Sequence, residues 1–207
     1  IRARSYVEAD TLEEGAPLEN PAYWYRADRY DPVSQIVGDN ATLYNMDAIA
    51  YESVMLGALA IFQGPENGFS TLTGIPNHTE LHFAWSRDGF HFSRPTDRTP
   101  AIAPNREDKD SHERGYIHSN NGICILNGDE LWFYYTSFRG DESIVGKRAA
   151  EDGMYANATT NLAKFNISNF ARFVLFCFLQ FKNLIIHLQI INFIYNNYLR
   201  FIILCFY

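Results

Sequence analysis

Asn127-Gly128 stands between two runs of β-forming residues, and no other feature restricts the fold as much. Tyr116 to Leu126 precede it and Leu131-Trp132-Phe133-Tyr134-Tyr135-Thr136 follow it. Asn-Gly supplies the positive φ that a two-residue hairpin turn requires, so the pair predicts an antiparallel hairpin with a type I′ turn. A second hairpin is predicted upstream. Glu80-Leu81-His82-Phe83-Ala84-Trp85 alternates with Leu81, Phe83 and Trp85 on one face, Ser86-Arg87-Asp88-Gly89 turns, and Phe90-His91-Phe92-Ser93 returns. Ala48 to Phe62 is apolar and rich in β-formers but too long for one strand, which predicts β structure with a bulge or bend at Gly57, a helix being the alternative. Gly64 to Asn77 reads as a Gly/Pro/Asn-rich loop; residues 1–45 are rich in Pro, Asp, Asn and aromatics without helical periodicity, and Pro17-Leu18-Glu19-Asn20-Pro21 reads as irregular chain leading into Tyr23-Trp24-Tyr25. The expected class is all-β.

That reading stops at Phe165. Every glycine, proline, aspartate and glutamate of the chain lies before Asn166. Residues 166–207 carry only Arg172, Lys182 and Arg200 as charges, so their formal +3 and the total of −7 leave −10 on residues 1–165. An acidic body excludes nucleic acid as an expected partner, because phosphate binding needs a basic face. Three readings of 166–207 compete. A spanning helix needs about 20 mostly apolar residues, and Arg172, Lys182, Gln189, Asn192, Asn196, Asn197 and Arg200 interrupt every such window, so membrane association is not the favoured reading. A buried helix would show an amphipathic stripe, which is missing. Residues of A/T-rich codons dominate, as in non-coding sequence translated past a missed splice site, and this third reading is preferred. The expected division is 1–165 as the fold and 166–207 as an apolar tail of helical character outside it.

Three cysteines exclude a disulfide framework without fixing the redox compartment. The sequons at Asn40, Asn77 and Asn157 mark these residues as candidate glycosylation sites and tilt the expectation toward a secreted or lumenal protein. No signal peptide is visible, and the chain opens on Ile1, so it is expected to lack its true start.

Four stretches carry a family resemblance: Trp24-Tyr25-Arg26-Ala27-Asp28-Arg29-Tyr30-Asp31-Pro32, then Leu43-Tyr44-Asn45-Met46-Asp47-Ala48-Ile49-Ala50-Tyr51-Glu52-Ser53, then Trp85-Ser86-Arg87-Asp88-Gly89-Phe90-His91-Phe92-Ser93-Arg94-Pro95, and last Gly128-Asp129-Glu130-Leu131-Trp132-Phe133-Tyr134-Tyr135. Together, over roughly residues 20–160, they resemble the five-bladed β-propellers of glycoside hydrolase families 32 and 43, in a branch apart from the invertases. The invertase-type Trp-X-Asn-Asp-Pro-Asn-Gly opening is absent, as are Arg-Asp-Pro and Glu-Cys-Pro blocks. The resemblance implies a partial propeller. With a unit of about 40–50 residues, 1–165 holds about three blades, and the ring does not close. It also implies a carbohydrate ligand and glycosidic hydrolysis by paired carboxylates in an intact parent, with this piece inactive. A propeller that binds carbohydrate or protein without hydrolysis is the alternative.

Hydrolysis of a glycosidic bond needs two carboxyl groups across the scissile bond. Asp47, directly before Ala48-Ile49-Ala50, is the first candidate, and an Asp accepting backbone N–H bonds at a strand start is its bland counterpart. Glu52 is the second. Five residues on, it faces away from Asp47 on a straight strand, as acid/base catalyst or as partner of a buried arginine. Asp28, near Trp24 and Arg26, lines the binding site or caps a loop. His118 and Asn120, before Ile123-Cys124-Ile125, bind sugar hydroxyls or simply pair at a strand edge. Asp88 is read as a turn residue, and Asp129 and Glu130 as a solvated hairpin tip. Asp110, His112 and Glu113 lack metal-ligand spacing, so neither metal nor cofactor is expected.

Overall fold

The computed structural model describes residues 2–7, 11, 21–33, 40–119, 124–146 and 153–168. These form three antiparallel sheets with one short α-helix. Sheet I pairs β1 (Ala3–Tyr6) with β2 (Ala22–Arg26). Sheet II is the meander β3 (Thr42–Tyr51), β4 (Val54–Phe62), β5 (Thr79–Ser86). Sheet III centres on β8 (Glu130–Phe138). One edge of β8 takes β6 (Gly115–Ser119) and β7 (Ile125–Asn127) in succession, and the other takes β9 (Ala158–Asn166) along its whole length.

The sheets stack. β4 is buried on both faces: Leu56 and Ala58 pack with Phe83, Leu131 and Phe133 toward sheet III, and Leu59 and Ile61 pack with Leu43, Ala84, Phe92, Trp24 and Tyr25 toward sheet I. The rings of Phe83, Phe133 and Phe165 form the centre of the II–III contact, with centroids 4.7–5.3 Å apart. Toward sheet I the fastening is ionic. Arg94 makes two parallel 2.6 Å bonds to Asp31, with both side chains fully buried, and Arg98 adds a 2.6 Å bond to Asp28.

Several expectations are corrected. Ala48 to Phe62 is not one bent strand. It is the second half of a hairpin arm, a two-residue turn at Glu52-Ser53, and the return strand β4, with Tyr51 paired to Val54. Glu-Ser carries no turn signature, and the turn is made by Glu52 at φ 53. Gly57 lies inside β4 because a Cβ there would stand 3.1 Å from both Met46 Cε and Phe92 Cε1. Asp88-Gly89 does not close a tight hairpin. Asp88 Oδ1 accepts the N–H groups of Phe90 and His91, widening the loop until only Trp85 and Ser93 pair. The Asn127 turn is displaced by one residue: Asn127 pairs with Glu130, and Gly128-Asp129 is the loop, with Gly128 at φ 63. That is the Gly-first pattern of a type II′ turn.

The 64–77 loop holds α1 (Asn67–Thr73), closed by Gly74 in the left-handed region. The aromatic cluster Tyr23-Trp24-Tyr25 lies in a strand, residues 22–26. The predicted 116–126 strand divides into β6 and β7 around residues 120–123, which lie outside the described residues. At the far end β9 takes in Asn166, and Ile167 packs on the II–III core with its N–H on Asp129 O, so the sheet passes the compositional break. The helical expectation for the tail falls outside the described residues from 169 onward.

Candidate functional site

Two irregular strand segments meet between sheets II and III. In β3 the register slips between Leu43 and Asn45, making Tyr44 the extra residue of a bulge. In β6 it slips between Gly115 and His118, where Tyr116 holds φ 48, a costly conformation for a bulky residue. Bulges re-aim side chains, and here both aim a tyrosine at the other. Tyr116 O–H donates to Tyr44 Oη at 2.7 Å. The His118 ring is packed edge-on to both, 4.3 Å from Tyr116 and 5.0 Å from Tyr44, and Tyr155 stands 5.6 Å from Tyr116.

Beside these rings β3 contributes polar groups from one face. Asn45 and Asp47 lie opposite Ala60 and Ala58, and Thr42 opposite Phe62. Thr42 Oγ1, Asn45 Oδ1 and His118 Nε2 are buried with no hydrogen-bond partner among the described residues. Buried polar atoms are almost always paired, so such a group asks for an explanation. Burial pushes the His118 imidazole down to about 4, and the half-buried Asp47 carboxylate works against that shift. The ring is therefore neutral at pH 7, able to donate from one nitrogen and accept at the other. Burial, then the Tyr44 bond, raises the Tyr116 phenol, which stays protonated.

The other sequence candidates fall elsewhere. Glu52 sits exposed on the β3–β4 turn, so the strand-face expectation for it is corrected, and five residues of strand put it about 16 Å from Asp47. Asp28 is engaged by Arg98 and, at 3.4 Å, by Arg94, which places it in the sheet I fastening. Asn120 lies outside the described residues. Asn40 is exposed. Asn157 is exposed with its amide donating to Gly140 O at 3.1 Å. Asn77 is 1% exposed and its amide donates to Pro65 O and Ser70 Oγ, which leaves a glycan no room in the folded chain. Tyr44 and Asn45 lie in the Leu43 to Ser53 stretch, yet nothing in their spacing singles them out; Tyr116 is one aromatic among many.

A second polar cluster faces sheet I. Glu80 and His82 share one face of β5, His78 lies directly before the strand, and both imidazoles donate Nε2–H to the Glu80 carboxylate, at 3.2 and 3.3 Å. Gln63 adds a 2.9 Å bond. Burial pushes the Glu80 carboxyl up, but the bonds and charge of the two histidines outweigh it and hold the group at about 2. Among the described residues no group of His, Cys, Asp and Glu is placed to hold a metal ion, and no helix is long and apolar enough to cross a membrane. No protein-family model matches the chain, and no curated protein or solved structure matches it either.

Proposed function

We propose that this chain is part of a glycosidase-like, carbohydrate-active β-propeller of the family 32 and 43 kind, and that the polar face of β3 beside His118 of β6 binds sugar hydroxyls. One observation carries the reading: three buried polar atoms, on Thr42, Asn45 and His118, are unpaired next to Asp47 and among tyrosine rings. Hydroxyl groups are donors and acceptors at once and would satisfy all three, while the tyrosines offer apolar faces to the sugar ring. The face-to-face stacking of antiparallel sheets supports a propeller, whose blades are packed in that way. Asp47 is then one of the two acids of hydrolysis. Its partner must lie about 5–10 Å away, and Glu52 does not, so the second acid belongs to other parts of the intact parent. The chain alone is expected to turn nothing over, and the parent to be secreted or lumenal.

The test is a glycosidase assay of the intact parent on a glycan panel, with Asp47→Asn beside it. Loss of turnover by at least 100-fold supports the assignment, and turnover unaffected by Asp47→Asn removes it. Binding without hydrolysis is the second reading, favoured by the single carboxylate acting on His118. It predicts glycan binding by the parent that Asn45→Ala and His118→Ala weaken, with no turnover in the unmodified protein.

A further inference from the structure

Asn-X-Ser/Thr triplets stand in the sequence at Asn40, Asn77, Asn157 and Asn166, and the fold treats them differently. Attachment of a glycan to a folded chain needs the asparagine amide and the hydroxyl two residues on to be reached together, with room for a bulky sugar. Asn77 is sealed, with its amide on Pro65 O and Ser70 Oγ. Asn40 is exposed, but the Thr42 hydroxyl of its triplet is buried and makes no bond to the Asn40 amide. Asn157 is exposed, yet its amide is held by Gly140 O, and Thr159 Oγ1 is taken by Ser137 Oγ at 3.1 Å and the Asn161 amide at 3.3 Å.

Asn166-Ile167-Ser168 is built otherwise. Asn166 ends β9 and is exposed, Ser168 is exposed, and Ile167 between them is packed on the core, which anchors the triplet at the surface. Ser168 N–H and Oγ–H both donate to Asn166 Oδ1, at 3.0 and 2.5 Å. Donors on an amide oxygen draw electron density from its nitrogen and make the nitrogen's protons easier to remove. The Asn166 amide itself donates to the exposed Asp129 carboxylate, across a long 3.4 Å. We propose that Asn166 is an N-glycosylation site, and the one of the four triplets that the folded chain offers to an oligosaccharyltransferase. The inference rests on the secreted or lumenal reading of the parent. In the transfer Asn166 Nδ2 bonds to the anomeric carbon of an oligosaccharide carried on a lipid pyrophosphate. The bond from that carbon to the pyrophosphate oxygen breaks, the pyrophosphate leaves with the electron pair, and one amide proton passes to a base of the transferase. Asn166 pairs with Glu130 and Glu130 with Asn127, so the glycan stands two strand spacings, about 10 Å, from the end of β7. There it shields Ile125 and Leu126, which are 55% and 62% exposed.

The test is transfer to the full chain made without glycans in bacteria, folded, and incubated with microsomal oligosaccharyltransferase and a lipid-linked oligosaccharide. Enzymatic glycan release in heavy-oxygen water followed by peptide mass spectrometry reads each occupied asparagine. Occupancy at Asn166 is expected to be at least tenfold above that at Asn40, Asn77 and Asn157, lost in Ser168→Ala and kept in Ser168→Thr, which retains the hydroxyl. No transfer to Asn166, or equal transfer to Asn40 or Asn157, overturns the site. The chain unfolded in urea and diluted directly into the reaction should also accept at Asn77 and Asn157; an unchanged preference for Asn166 there would assign the choice to local sequence and overturn the role of the fold. Mapping of the native parent tests the secretory reading separately: a parent without glycan, beside a folded chain that accepts at Asn166, overturns that reading and upholds the site.

Discussion

Sheets II and III are both antiparallel meanders, yet their central strands are written differently. β4, Val-Met-Leu-Gly-Ala-Leu-Ala-Ile-Phe, is apolar at every position because sheet I covers one face and sheet III the other. β8, Glu-Leu-Trp-Phe-Tyr-Tyr-Thr-Ser-Phe, buries Leu131, Phe133, Tyr135 and Ser137 and leaves the alternate residues half-buried or exposed. On that outer face Lys164 lies over the Trp132 ring and Trp132 Nε1–H donates to Glu130, so the aromatic is finished with polar groups. A strand with one covered face shows its period of two, and a strand with two covered faces conceals it. The two covers of sheet II also differ: toward III it is aromatic, and toward I apolar packing is joined by buried ion pairs.

The largest expected effects test those two covers. Phe133→Ala opens a cavity between Phe83 and Phe165 and should cost about 3–5 kcal/mol in denaturant unfolding. Asp31→Ala strands the Arg94 charge and should cost a similar amount, about 3–5 kcal/mol. Replacing both partners, Asp31→Leu with Arg94→Met, should recover most of that loss. If the double variant is as unstable as the single one, the pair does more than neutralise a charge. Gly57→Ala places a Cβ against Met46 and Phe92 on the sheet I side of β4 and should cost about 1–3 kcal/mol by overpacking.

Acid should loosen sheet II before sheet III at the Glu80 cluster. Glu80 is held at about 2, below its ordinary value of 4.5, so its contribution is complete above about 4.5 and is lost as pH falls toward 2. Glu80→Gln should flatten the fall of Tm between pH 5 and pH 2, and an unchanged slope would assign acid lability to other groups. Smallest of all, Tyr134→Thr, one residue from Phe133 but on the outer face, should change stability by no more than about 0.5 kcal/mol. A cost near that of Phe133→Ala would mean that the outer face of sheet III is covered in solution.

Legibility followed the same divide. β5 and β8 were readable by alternation, and the Asn127 hairpin to within one residue, because turn chemistry and period are local properties. The Glu52-Ser53 turn was not readable: a double-covered strand gives no period, and its turn residues are ordinary. Glu52 was accordingly mistaken for a carboxylate within a buried run. β9 ends at Asn166, where the composition changes, so composition does not mark the end of the strand. Asp47 and His118 were each identified alone; that the field of one reaches the other was not.

By itself the sequence determined β structure, an acidic body, and where two of the turns lie, since each depends on residues adjacent in the chain. Only the tertiary structure decided that Tyr44 and Tyr116 share a hydrogen bond, that Asn77 is sealed, and that His118 remains neutral. Those properties depend on burial and on contacts between residues far apart in sequence, and desolvation is set by what the fold places around a group, not by its neighbours in the chain.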